Sequence, residues 1–70
     1  MEMIPVSSSN IAAIGYEEHQ NTLVIEFNNA RAYEYYAVPQ YVFEEFLNAG
    51  SKGQYANQNI YKNYSQNQIR

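Results

Sequence analysis

The stretch AYEYYAVPQYVFEEF, residues 32–46, decides the fold because its hydrophobic period changes in the middle. In its first half, aromatic and polar side chains alternate, which is typical of a strand with one buried face. Tyr33 and Tyr35 share the face that we expect to lie in the core, and Tyr36 points to the opposite, more exposed face. We therefore predict a strand over 31–37.

The second half of this stretch has the spacing of a helix. Val38 precedes a proline and should be extended, and Pro39 suits the first helical turn. Gly50 suits the left-handed position that often closes a helix. We predict a helix over 39–50 whose apolar stripe consists of Val42, Phe43, Phe46 and Leu47.

Two further strands precede this stretch. TLVIEFN, residues 22–28, is rich in β-branched and aromatic residues, and its core-facing side chains are predicted to be Leu23, Ile25 and Phe27. NIAAIGY, residues 10–16, is a weaker strand. NNA at 28–30 is a tight turn, since asparagine tolerates positive φ. We expect the predicted helix to cover the apolar face of these strands.

Ser51 can cap a second helix, which we predict over 52–64 with an apolar face made of Ala56, Ile60 and Tyr64. Residues 1–5 and 65–70 are expected to be flexible ends of a single domain at 6–64. The predicted fold class is α+β, a three-stranded antiparallel β-meander followed by two short α-helices packed on one face.

Composition limits the function classes. The 70-residue chain has no cysteine, so it has neither a disulfide nor a thiolate metal site, and this favours a reducing compartment. The formal net charge is −3 and the four basic residues are scattered, unlike those of most nucleic-acid-binding surfaces. The start lacks the pattern of a signal peptide, and no apolar run reaches transmembrane length. We expect a cytoplasmic protein without membrane association.

The segments SSSNIAAIGY, TLVIEF, YEYYAVP and SKGQY, taken in order, resemble the KTSC domain. This short family is named after the C-terminal end of some lysyl-tRNA synthetases and also occurs as free-standing bacterial and phage proteins. The resemblance extends over about residues 6–64. The matching residues are Tyr33 and Tyr35 for the family's Tyr-x-Tyr, then Val38-Pro39, and Ser51-Lys52-Gly53 for its Ser-Lys-Gly.

One position departs from the family pattern. Ala56 stands where the family usually has an aromatic residue, so either the core is filled differently or the surface is altered for a partner. The family occurs within tRNA synthetases, and this association suggests RNA binding. The suggestion rests on the proteins that contain the domain and not on any residue of this chain.

Ser51, Lys52 and Gly53 form the candidate ligand site. A helix start presents free N–H groups and the positive end of the helix dipole, which favour an anion such as a phosphate of RNA or of a nucleotide. The alternative is that Ser51 only caps a tight interhelical turn. The sequence is not a Walker A loop, because the upstream glycine is absent.

A second candidate surface would bind a protein partner. Its hypothetical contact residues are Tyr16, Tyr36, Tyr55 and Lys62, since aromatic side chains are enriched in interfaces and most charged ones are depleted there. Glu26 and Glu34 share the face of Tyr36 and would repel phosphate. This counts against RNA stacking on that face and leaves protein binding open.

No constellation of residues predicts catalysis, a metal or a cofactor. His19 lies in a polar turn without a second histidine, and Glu44 and Glu45 are helix neighbours that diverge. We predict a small non-enzymatic binding module that acts by protein interaction, including inhibition of a host enzyme if the chain is of phage origin, or homodimerisation. The alternative is binding of RNA or a nucleotide at Ser51-Lys52-Gly53.

Overall fold

The structure, a computed structural model, describes residues 1–70. Its elements are β1 (Met3–Pro5), β2 (Ile11–Glu17), β3 (Thr22–Phe27), β4 (Ala32–Tyr35), α1 (Gln40–Asn48), α2 (Lys52–Asn59) and β5 (Gln66–Gln68). The five strands form one antiparallel sheet in sequence order. Both helices contribute to a core on one face of this sheet. The predicted α+β class is confirmed.

The chain ends correct the predicted strand count from three to five. Within the expected flexible ends, residues 1–5 and 65–70, β1 pairs with β2 at one edge and β5 pairs with β4 at the other. Neither segment has an alternating apolar pattern, and every side chain of β5 is exposed. Backbone hydrogen bonds hold β5, such as that from the Tyr36 N–H to the Ser65 carbonyl at 3.0 Å.

The register of the central strands confirms the predicted core face. Ile14 lies opposite Ile25, and Leu23 lies opposite Tyr35. All four side chains are buried, as expected for residues of one face in a sheet covered by helices. Phe27 and Tyr33 pack at the margin with their rings edge to face at 5.9 Å.

The turn at 28–30 forms as predicted, but the left-handed residue is Ala30 (φ 72) rather than an asparagine. Asn29 instead accepts the Arg31 N–H through Oδ1 at 3.1 Å. Its side chain serves the turn, and the positive φ is adopted by the following residue.

Helix α1 begins after Pro39, which is its N-cap in extended geometry. Val42 and Phe46 are buried under the helix, and Phe43 and Leu47 pack partly buried beside them. The apolar stripe predicted for this helix therefore faces the sheet.

Gly50 does not close α1 in the left-handed conformation that the sequence predicts, because no glycine has positive φ. The chain is already extended at Ala49 (φ −67, ψ 139), and Ser51 follows as the N-cap of α2. The Lys52 ammonium donates to the Ala49 carbonyl at 2.7 Å. A lysine side chain thus satisfies the end of α1 where a glycine turn was expected.

Helix α2 is capped by Ser51 as predicted, with the Gln54 N–H donating to Ser51 Oγ at 3.3 Å. It ends at Asn59, so the predicted range 52–64 is too long. Asn59 donates through Nδ2 to the Tyr55 carbonyl, and this side chain competes with helical backbone bonding. Ala56 and Ile60 are completely buried in the core. Ala56 therefore belongs to the core and not to a surface that a partner could contact.

Replacing Tyr35 by Ala should lower the free energy of unfolding by about 3–5 kcal/mol, because the ring is only 2% exposed and its removal leaves a cavity. Chemical denaturation measures the loss. Tyr33→Ala is the control on the same strand, and it should cost less since Tyr33 is only half-buried. Equal stability of the Tyr35 variant and the parent chain would contradict the core assignment.

Candidate ligand-binding cleft

A cleft of about 750 Å3 separates the loop before β2 from the start of α2. One wall is the loop 7–10, with the sequence SSSN, and the other is formed by residues 50–54, Asn57 and Tyr61. No aspartate or glutamate lines it, although the chain has seven acidic residues. The volume lies within the range of small-molecule sites.

The predicted triplet Ser51, Lys52 and Gly53 lies entirely in this cleft. Ser51 Oγ accepts the Gln54 N–H as the helix cap, and one hydrogen of the Lys52 ammonium is donated to the Ala49 carbonyl at the end of α1. An ammonium has three donor hydrogens, so two remain. The Lys52 and Gly53 N–H groups lie in the first helical turn, where no intrahelical acceptor exists. The helix start therefore retains both hydrogen-bond donors and positive charge.

Gly53 has no structural need for glycine. Its φ is not positive, and a Cβ built on it would have no atom within 4 Å; the same holds for Gly50. Glycine inside a helix disfavours folding by about 0.5–1 kcal/mol relative to alanine, and Gly53 lies within α2. What the two glycines provide is free space on one wall of the cleft.

The serine loop is the part of the site that the sequence prediction missed. Ser8 Oγ accepts the N–H groups of Asn10 and Ile11, both at 3.3 Å, so its own hydroxyl hydrogen remains available to donate. Asn28 Nδ2 donates to the Ser8 carbonyl at 3.2 Å and holds the loop. Only the tertiary fold brings the run SSSN opposite α2, so no local pattern predicts this wall of the cleft.

Tyr61 lines the same cleft and carries a buried hydroxyl without a hydrogen-bond partner. Its ring packs near those of Phe27 and Tyr35, at centroid distances of 6.3 and 6.1 Å. Burial raises the pKa of Tyr61 above the ordinary value for tyrosine, which favours the protonated phenol, the form that can donate. A buried hydroxyl without a partner is unusual and favours any group that can accept from it.

Two of the hypothetical partner-binding tyrosines are half-buried. Tyr16 stacks on Phe43 at 4.9 Å, and its hydroxyl donates to the Val38 carbonyl at 2.5 Å. Tyr55 stacks on Phe46 at 5.6 Å. These rings lie between the sheet and the helices or between the helices, which is not the exposed position expected for them.

Tyr55 is further fixed by its hydroxyl, which donates to Glu45 Oε1 at 2.7 Å. Burial and then this carboxylate raise its pKa far above the ordinary value for tyrosine.

Tyr36 does lie on the opposite sheet face and is 38% exposed. Lys62 is exposed in the turn after α2, outside the cleft.

The other polar residues singled out in the sequence do not meet. His19 is exposed in the turn between β2 and β3, and no three His, Asp or Glu side chains gather where they could hold a metal ion. Glu44 contacts Gln40, whereas Glu45 contacts Tyr55. Neither helix has the length and apolar character needed to cross a membrane.

A family model described as the KTSC domain matches residues 7–64. The chain belongs to the KTSC domain family. The crystal structure of a KTSC domain protein from Yersinia pestis has a TM-score of 0.95 and is 33% identical, covering 99% of this chain and 97% of that one. The likeness of the structures includes both terminal strands, which lie outside the residues matched by the family model.

Among relatives of known sequence, a protein of Tsukamurella paurometabola is 42% identical over 79% of this chain and 82% of its own length. A lysine–tRNA ligase of Nostoc punctiforme is 41% identical over 83% of this chain. Only 10% of that ligase is covered. KTSC domains therefore occur both as most of a small protein and as a small part of a large enzyme.

Stability should fall as the pH rises above about 10, where unfolded tyrosines ionise. Burial raises the pKa of Tyr35, so this residue keeps its proton in the folded state after the unfolded state has lost it. The stability it contributes is therefore fully present below pH ~10 and decreases above it. Thermal melts from about pH 8 to about pH 12 measure this loss of stability.

Tyr35→Phe should make this decrease smaller, because the ring stays and the ionising hydroxyl is gone. Tyr41→Phe is the control, since Tyr41 is 63% exposed. A Tyr35→Phe protein that loses stability with pH as steeply as the parent would contradict the role assigned to this hydroxyl.

Proposed function

We propose that this KTSC domain is a non-catalytic binding module whose cleft receives a phosphate group of RNA or of a nucleotide. The observation that carries the proposal is the lining of the cleft, which combines a lysine, free helix N–H groups and serine hydroxyls with no carboxylate. Donors without a competing negative charge favour an anion.

The amount of positive charge limits how the ligand is held. Lys52 is the only basic residue of the cleft, and the chain as a whole carries a net charge of −3. Binding of an extended nucleic acid would need several cations along the backbone. One phosphate held at Lys52, with neutral contacts from Gln54, Asn57 and the serine loop, agrees better with this inventory.

The relatives support a nucleic-acid connection. The lysine–tRNA ligases of Nostoc punctiforme and of a second Nostoc strain contain a segment that is 41% and 45% identical to this chain. An enzyme named for tRNA handles RNA phosphates, and a domain attached to it could contact one of them. Binding in a cytoplasmic, reducing compartment is part of the proposal and agrees with the absence of cysteine.

Isothermal titration with AMP, adenosine and a short single-stranded RNA tests the proposal. AMP should bind and adenosine should not, since only AMP carries the phosphate. The logarithm of the RNA affinity should fall with the logarithm of salt concentration with a slope of about −0.7, the value for one phosphate. A slope several times steeper would contradict a single phosphate contact.

Lys52→Gln should weaken AMP binding by about tenfold or more while the fold is retained. Gly53→Leu should narrow the cleft and weaken AMP binding as well, since a Cβ at this position meets no atom within 4 Å. Lys62→Gln removes the same charge outside the cleft and is the matched control. Equal loss in the Lys52 and Lys62 variants would show non-specific attraction and refute the site.

Protein interaction is the second candidate function, favoured by the exposure of Tyr36 on a sheet face without helices. The half-buried positions of Tyr16 and Tyr55 reduce the tyrosine surface that the sequence had offered for it. Inhibition of an enzyme or formation of a homodimer would both use such a face.

A further inference from the structure

The sheet face opposite the helices is the largest surface that the cleft proposal does not use. Its centre consists of small buried residues, Ala13, Gly15, Val24 and Ala32, so the backbone lies close to the surface. Larger side chains stand around this floor. Met1 is 59% exposed and Ile69 is 48% exposed, and Tyr36 belongs to the same rim. We call this surface the open face.

The floor is covered by adaptable side chains. A Cβ added to Gly15 would lie 2.5 Å from Met3 Sδ and 2.9 Å from Met1 Sδ, so both thioethers rest over this glycine. Methionine has no branch and several rotatable bonds, and it is common at surfaces that repack around a partner. The open face thus has an apolar cover that can rearrange at little cost.

The charge of the open face is negative. The register places Glu17, Glu26 and Glu34 on it, since they alternate with residues that face the helices. Arg70 forms an ion pair with Glu26. The half-buried Glu34 accepts the Tyr36 hydroxyl hydrogen through Oε1 at 2.9 Å, which leaves its other carboxylate oxygen free.

We propose that the open face docks a cationic protein segment in which arginine is combined with aliphatic side chains. This inference rests on the second candidate function above and names its partner. An arginine can pair with Glu34 through its planar fork while lying over the ring of Tyr36, and aliphatic side chains can replace the methionines on the floor. Complementary charge then sets the choice of partner and speeds encounter.

The same charges disfavour two other occupants. A second copy of the chain would bring the same three carboxylates, Glu17, Glu26 and Glu34, to the interface. The arginine of the open face, Arg70, is already paired with Glu26. Nucleic acid would bring phosphates against these carboxylates. Anionic ligands and cationic partners are therefore directed to different sides of the molecule.

Two matched libraries of short amidated peptides test the inference. One contains Arg, Leu, Ile, Ser and Gly, and the other has Glu in place of Arg. Binders from the arginine library should shift the NMR signals of Gly15, Val24 and Tyr36, with affinity that falls as salt rises. Glu34→Gln should weaken them by about three- to tenfold, since it keeps an acceptor for Tyr36 and removes the charge.

Glu44→Gln is the matched control, because Glu44 is exposed on α1 and carries the same charge. It should leave the affinity unchanged. Binders only from the glutamate library, or shifts outside the open face, would overturn the assigned partner and leave protein interaction standing. Binding by neither library would overturn both. Dimerisation that Glu34→Gln strengthens would assign the face to a second copy.

Discussion

A small hydrogen-bond network fixes the point at which the chain leaves the sheet, and the rest of the structure depends on it. The Tyr16 hydroxyl donates to the Val38 carbonyl and accepts from Asn21 Nδ2, while the Val38 N–H donates to the Asn21 carbonyl at 2.9 Å. Ala37 adopts positive φ just before this contact. Together they turn the chain just before α1 begins, and α1 packs on the face that carries Leu23, Ile25 and Tyr35. The positions of the cleft and of the open face both result from this placement of α1.

The features predicted well from the sequence are those with a strong hydrophobic period. The alternation around Ile25 and Tyr35 gave the central strands, and the spacing of Val42 and Phe46 gave the first helix. Such patterns indicate which side chains are buried, because apolar residues recur along the buried face of both strands and helices. The fold class and most of the core were accessible for this reason.

Other features have no local pattern. Edge strand β5 has exposed polar side chains and is held by backbone bonds to a strand far away in sequence, so composition indicates a loop. The position of Tyr16 depends on the hydrogen bond from its hydroxyl to the Val38 carbonyl, and sequence spacing does not predict this bond. The same holds for the serine loop. Ser51-Lys52-Gly53 was recognisable as a helix start, but its opposite wall exists only in the folded chain.

The placement of β5 also bears on the order in which parts of the molecule open. Its pairing with β4 spans a sequence separation of 35 residues, as between Tyr33 and Gln68, whereas the hairpins among β1 to β4 are local. Distant pairing has the larger loop-closure entropy and no buried side chain to offset it. We therefore expect this strand to exchange its amide hydrogens with solvent before the core strands do, and to dock late in folding. Its release frees the N–H and carbonyl groups of β4, so a transient sheet edge arises without loss of the core.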